Sequence, residues 1–234
     1  MTDLDYGRFE ALTFDCYGTL IDWEAGILAG LRRVLDRRNV KASDDELLEA
    51  FAKVEADLES GPYLRYREIL GRCLRDVAAD YAVAPDLAEV AAFANSVGDW
   101  PAFPDSAEAL RRLHQRFRLG VITNCDDDLF ARSEARLEAD FDWVVTAQAA
   151  RGYKPDPHNF EVAFERLGLP RERILHVAQS LFHDHVPAKA LGLTTVWINR
   201  RAGRAGSGAT PPADAEPDAT FPDMASFAAA ATAT

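Results

Sequence analysis

Positive charge is in deficit along this 234-residue chain, where 26 lysines and arginines face 38 aspartates and glutamates for a formal net charge of -12. A surface that grips nucleic acid or an anionic membrane needs a positive footprint to displace counterions, so neither is expected as a partner. An anionic small substrate stays open, because a pocket can be locally positive. Cysteine is scarce as well. Cys16, Cys73 and Cys125 are odd in number and far apart, with no CxxC pair and no Cys/His cluster of zinc spacing. That pattern argues against a disulfide framework or a zinc site and suits thiols in a reducing cytoplasm. Two further absences are a basic region leading into an apolar leader and any run of 18 apolar residues. Neither secretion nor a membrane span is therefore expected. What is present is 48% hydrophobic and 27% charged residues, enough for a full core in one large domain or two small ones.

The stretch "FEALTFDCYGTL" reads as a buried strand over Ala11 to Phe14 that ends in a turn at Gly18. From about Asp22 to Phe93 the pattern is helical, with Ser43 as N-cap and Glu46 three residues on. After "WPAFPD" strand and helix alternate almost to the end. Short units of that kind predict a mainly parallel sheet with helices on both faces, hence an α/β core carrying a helical insertion after its first strand. The expected division is residues 1–20 and 98–234 for the core and 21–97 for the insertion. Within the core, 201–219 reads as a Gly/Pro/Ala-rich surface loop, and the tail "FAAAATAT" is expected to fray.

Four polar loops follow predicted strands, and in open α/β sheets ligands sit at that end. Asp15 closes the first strand with Thr19 nearby. "TNCD" carries Thr123 and Asn124, "RGYKPD" carries Lys154, and "VAQSLFHD" carries Gln179, Ser180 and Asp184. Each residue alone reads equally as a turn, a cap or a solvated charge. Four such loops at one sheet edge are harder to read that way. In order, "DxYGT", "TN", "KP" and a loop ending in Asp resemble the haloacid dehalogenase superfamily, most of all its type II branch. The segments "ALTFDCYGTLIDWE" and "SLFHDH" also look similar to azetidine-2-carboxylate hydrolases.

That resemblance implies a Rossmann-like three-layer core with an inserted helical cap. It implies Asp15 as nucleophile, Lys154 pairing with it, and Asp184 in the last acidic loop. Tyr17, Thr123, Asn124, Arg65, Gln179 and Ser180 are the implied substrate contacts. Phosphatases of the superfamily carry a second aspartate two residues after the nucleophile, where this chain has Tyr17, a poor acid at an unperturbed pKa of about 10. Gln179 stands where the magnesium-dependent pattern supplies another acid. The resemblance therefore implies no cofactor. Magnesium, if used, would be held by Asp15, Asp184 and the Tyr17 backbone carbonyl. Both departures favour displacement at a carbon alpha to a carboxylate, with halide leaving and an aspartyl ester formed. Ring opening of azetidine-2-carboxylate, phosphate-ester hydrolysis and ligand binding without chemistry are the alternatives.

The type II match is incomplete at Gln179, Leu181 and Phe160, and Arg65 and Arg67 are the arginines that the insertion offers for a leaving group. Trp100 and Phe103 read as an apolar wall or as packing where insertion meets core. His176, His183 and His185 read as local hydrogen bonding or pocket lining rather than a metal site, since His183 and His185 do not share a helix face. Cys16 has no identifiable base that would make its thiol a nucleophile. The expected partner is a small carboxylate substrate, and a homodimer is left open.

Overall fold

The computed structural model describes residues 4–204 and 206–233. Six strands, β1 (Ala11–Phe14), β2 (Arg118–Thr123), β3 (Trp143–Thr146), β4 (Ile174–Ala178), β5 (Thr194–Ile198) and β6 (Ala219–Phe221), form one sheet in the order β3-β2-β1-β4-β5-β6. Every pairing is parallel. Parallel strands are buried on both faces, and the apolar runs ALTF and ILHVA are wholly buried here. Alternate side chains feed two separate clusters. Leu12 and Phe14 belong to one, while Ala11 joins Ile122, Trp143 and Ile174 in the other.

Helices cover both faces. On one lie α5 (Ser106–His114) and α10 (Met224–Ala231), packed on each other, while α8 (His158–Leu167) packs on β2 and β3 in the second cluster. The remaining core helices are α6 (Asp127–Leu137), the short α7 (Ala147–Ala150) and α9 (Val186–Ala190). Between β1 and α5 run α1 (Trp23–Leu35), α2 (Asp44–Glu59), α3 (Tyr66–Ala79) and α4 (Leu87–Ala94), a stretch without a strand among the described residues. Ser43 caps α2 in the expected reciprocal arrangement, accepting from the Glu46 amide at 3.2 Å while Glu46 Oε2 accepts from the Ser43 amide at 2.7 Å. None of the described helices is long and apolar enough to cross a membrane.

The end of the chain differs from expectation. The tail is helical up to Ala231, because Asp223 caps α10 and Met224, Phe227, Ala228 and Ala231 are buried. Four small or apolar residues at helical spacing pack on α5, whereas composition alone suggested fraying. The loop before β6 is also tied down in part: Ala209 is buried and its amide donates to Glu24 Oε1 at 3.2 Å.

Candidate active site

β1 is central, and the strand order reverses beside it, so the loops after β1, β2, β3 and β4 converge on one crevice. Asp15 stands at the end of β1. The chain then turns through Gly18, which holds φ +95°, and a Cβ there would meet Gln179 Oε1 at 2.9 Å and Trp23 Nε1 at 3.0 Å. This turn folds Thr19 back onto the carboxylate. Its hydroxyl donates to Asp15 Oδ2 at 2.7 Å and accepts from the Gln179 amide at 2.8 Å.

Lys154 reaches the crevice from the loop after α7. Its loop is pinned by Asn124, whose Oδ1 accepts from the Lys154 amide at 2.8 Å and whose Nδ2 donates to the Lys154 carbonyl at 2.9 Å. The ammonium donates to Asp15 Oδ1 at 2.9 Å, Asp184 Oδ1 at 2.7 Å and the Ile122 carbonyl at 2.8 Å. Three protons thus meet three acceptors. Asp184 lies in a π-helical turn, Leu181–His185, that Ser180 caps by accepting from the His183 amide at 2.8 Å. His176 Nε2 lies 2.9 Å from Asp184 Oδ1, and His176 Nδ1 lies 2.9 Å from Thr13 Oγ1, so a strand-borne relay orients the carboxylate.

Lys154 is 1% exposed, and burial opposes its charge, yet Asp15 and Asp184 outweigh burial and hold the ammonium protonated. Burial likewise works to raise Asp184, but Lys154 and His176 hold it below the usual carboxylate range. Asp15 is held above that range, chiefly by burial and further by Asp184, against the pull of Lys154 and Thr19. If the reactive form is the carboxylate, the acid limb of kcat/KM should lie above the ordinary aspartate value of about 4. Thr19→Val removes a hydrogen bond that favours the carboxylate, so it should move that limb to still higher pH, and a pH–rate profile of both proteins checks this.

The crevice closes over a small cavity of about 20 Å³ lined by Asp15, Tyr17, Asn124, Lys154, Ser180 and Asp184 among the expected residues. Three others are placed elsewhere. Arg65 turns to the acids at the start of α6, with Nε 3.0 Å from Asp126 Oδ1 and an Nη 3.3 Å from Asp128, because a pair of carboxylates there outcompetes the cavity. Gln179 continues β4, so it faces the opposite side from Ser180, where its amide oxygen accepts from Thr210 at 3.3 Å. Thr123 is buried at the end of β2, outside the cavity lining, with its hydroxyl unpartnered among the described residues.

Sequence reasoning missed Trp23, Glu55, Glu59 and Tyr66, which also line the cavity. His183 lines it too, whereas His185 Nε2 donates to the Ala178 carbonyl at 3.0 Å. Phe160 packs edge-on against His176 at 5.0 Å and stays out of the cavity. Trp100 packs edge-on against Tyr17 at 5.8 Å, and Phe103 lies under the Arg200 guanidinium at 4.0 Å. Burial, then the neighbouring Asp15, push the Cys16 thiol well up, which removes it as a nucleophile.

Tyr17 cannot replace a second catalytic aspartate. Its hydroxyl lies 3.0 Å from Ser133 Oγ and 3.4 Å from Cys125 Sγ, and burial raises its pKa further. Tyr17→Phe should therefore leave kcat within about threefold of the parent while costing about 1 kcal/mol of stability, a split that steady-state kinetics and urea unfolding measure separately. The two carboxylates expected to hold magnesium, if it is used, are bridged by Lys154. No group of three His, Cys, Asp or Glu able to hold a metal ion occurs among the described residues.

Known proteins resemble this chain in sequence and in fold. Haloacetate dehalogenase H-2 of Moraxella sp. (strain B) is 29% identical over 199 residues, covering 82% of this chain and 87% of its own. The L-2-haloacid dehalogenase of Xanthobacter autotrophicus superposes with a TM-score of 0.78 at 20% identity, over 94% of this chain and 97% of that one. The same enzyme with chloropropionic acid covalently bound gives 0.77 at 20% identity, with 94% and 97% covered. A family model described as haloacid dehalogenase-like hydrolase matches residues 9–191, which spans β1, the helical insertion and all four site loops. The chain belongs to the haloacid dehalogenase-like hydrolase family.

Proposed function

We propose that this hydrolase acts at the carbon alpha to the carboxylate of a small acid, in the manner of a 2-haloacid dehalogenase, through an ester on Asp15. One observation carries the reading: a buried lysine bridges two carboxylates at 2.9 and 2.7 Å, with a blocked tyrosine where a leaving-group acid would stand. A leaving group that departs as a stable anion needs no such acid. Asp15 attacks the alpha carbon; the new C–O bond forms as the carbon–halogen bond breaks, and the electron pair leaves on halide. Water then adds to the Asp15 carbonyl carbon. Backbone N–H groups at Cys16 and Tyr17, with Lys154, stabilise the oxyanion. Asp184, whose Oδ2 is buried and unpartnered among the described residues, orients the water. Collapse releases a 2-hydroxy acid and a proton and restores the Asp15 carboxylate.

No step calls for a metal. The helical segment acts as a cap that covers the cavity, supported by Glu55, Glu59 and Tyr66 reaching it from α2 and α3. The three buried free thiols support a cytoplasmic setting. The test is multiple-turnover halide release from each enantiomer of 2-chloropropionate, with chelator and with added magnesium. Release that survives chelation and disappears in Asp15→Asn supports the reading. Release that requires magnesium, or no release from either enantiomer, counts against it.

A further inference from the structure

Two carboxylates in the cavity are unused by that chemistry. Glu55 and Glu59 are four residues apart on α2, so they share a helix face, and both line the cavity with Asp15. Glu55 is 2% exposed and the Glu59 side chain 4% exposed. Buried acids are normally paired with a cation. Here Glu55 has the Tyr66 hydroxyl at 2.8 Å and Glu59 has Asn124 Nδ2 at 3.1 Å, both neutral donors. The lysine of the cavity has already given its three protons to other acceptors. His183 Nε2 stands 3.6 Å from Glu59, but burial pushes that imidazole down to about 4, so it is neutral near pH 7. Arg65 and Arg67 are turned away to Asp126 and Asp128. The acid pair therefore has no resident cation among the described residues.

A second, independent feature points to a ligand in the same space. His183 Nε2 is a buried polar atom of a cavity-lining side chain that the hydrolysis does not use, and it has no hydrogen-bond partner among the described residues. Ser180 Oγ lies 3.2 Å from His183 Nδ1, and in the tautomer in which that hydroxyl donates to Nδ1, Nε2 is an N–H donor. The cavity thus offers a donor for a carboxylate beside two acceptors for a cation. Glu59 also lines an outer groove with Tyr63 and Tyr153, which places it where the two spaces adjoin.

We propose that Glu55 and Glu59 form a subsite for a positively charged nitrogen, so that the small acid acted on at Asp15 is a zwitterion carrying an ammonium group. This deepens the aspartyl-ester reading and rests on it for the position of the reacting carbon. Without a bound cation, burial raises both acids, Glu55 to about 8, and Glu55 pushes Glu59 up further. An ammonium between them restores their charge and supplies charge-assisted hydrogen bonds.

The experiment is equilibrium calorimetry with two probes of one shape, proline of either hand and cyclopentanecarboxylate, in which a methylene replaces the ring nitrogen. Neither has a strained ring or a halogen, so binding is read without turnover. The parent protein should bind one hand of proline about tenfold or more tightly than cyclopentanecarboxylate. Glu59→Gln should erode that preference, and Glu55→Gln/Glu59→Gln should abolish it. Equal or tighter binding of cyclopentanecarboxylate to the parent protein overturns the proposal, as does undetectable proline binding. A preference that persists in a folded double variant overturns it as well, and the comparison in the parent protein decides even if that variant does not fold. Loss of the aspartyl-ester reading would appear instead in isotope transfer to Asp15, which this measurement does not involve.

Discussion

Asp15→Asn should lower turnover by at least about 10³-fold while the protein remains folded, because the amide keeps the carboxylate's shape and loses its nucleophilicity. The substitution also removes a buried acid from beside Lys154 and Thr19. Lys154 keeps Asp184 at 2.7 Å as its counter-charge, so the protein should stay folded and lose less stability than it would if the lysine itself were removed. A single turnover in 18O-labelled water sharpens the result. If water attacks the ester at the Asp15 carbonyl, the label enters the peptide containing Asp15, and the first 2-hydroxy acid carries unlabelled oxygen from the enzyme. Label in the first product, with none in that peptide, would mean direct attack of water on the substrate and would remove the covalent step.

Lys154→Met should be the most damaging single change to stability. It keeps the length of the side chain but leaves Asp15 and Asp184 facing each other in a buried site without the ammonium that lies between them. Breaking a buried ion pair from one side costs about 3–5 kcal/mol. The pH dependence follows from Asp184. Lys154 holds its folded pKa below the unfolded value, so the stabilisation is fully present above about pH 4 and is lost as pH falls toward the folded value. The deficit of Lys154→Met should thus be greatest near neutral pH and shrink on acidification. In the variant the unscreened carboxylates take up protons at higher pH, so the narrowing should begin above about pH 4. Urea unfolding of both proteins from neutral to acid pH measures it. A deficit that is constant across that range would mean that the ion pair contributes little and that packing of the lysine stem carries the loss.

The residues that face each other across the crevice were legible in the sequence to the extent that a strand ended just before them. Asp15, Asn124 and Ser180 follow apolar strands within two positions, Lys154 and Asp184 lie farther along the loops after β3 and β4, and the sheet brings those ends together. Side-chain direction was less legible. Gln179 and Ser180 are adjacent, and only the extended course of the chain beyond β4 shows that one faces the cavity and the other Thr210. Arg65 was attractive as a cation near the site, but Asp126 and Asp128 claim it once α3 and α6 approach. Glu55 and Glu59 lay hidden for the opposite reason. In a helix rich in acids they read as part of a solvated face, and only the placement of α2 over the crevice buries them.

The central position of β1 has a consequence for how this protein reaches its native state. Ala11 pairs with Arg118 on one side and with Ile174 on the other, so the strand that presents Asp15 gains its first sheet neighbour only after about half of the chain has been made and its second later still. The helices from Trp23 to Ala94 rest on contacts much closer in sequence, such as those of α2 with α3 and α3 with α4. Contacts of long sequence separation carry the loop-closure entropy that slows folding, whereas local helical contacts form early. In a refolding experiment the ellipticity of the helices should therefore return before hydrolytic competence, with a folded exterior enclosing a crevice that is still unassembled.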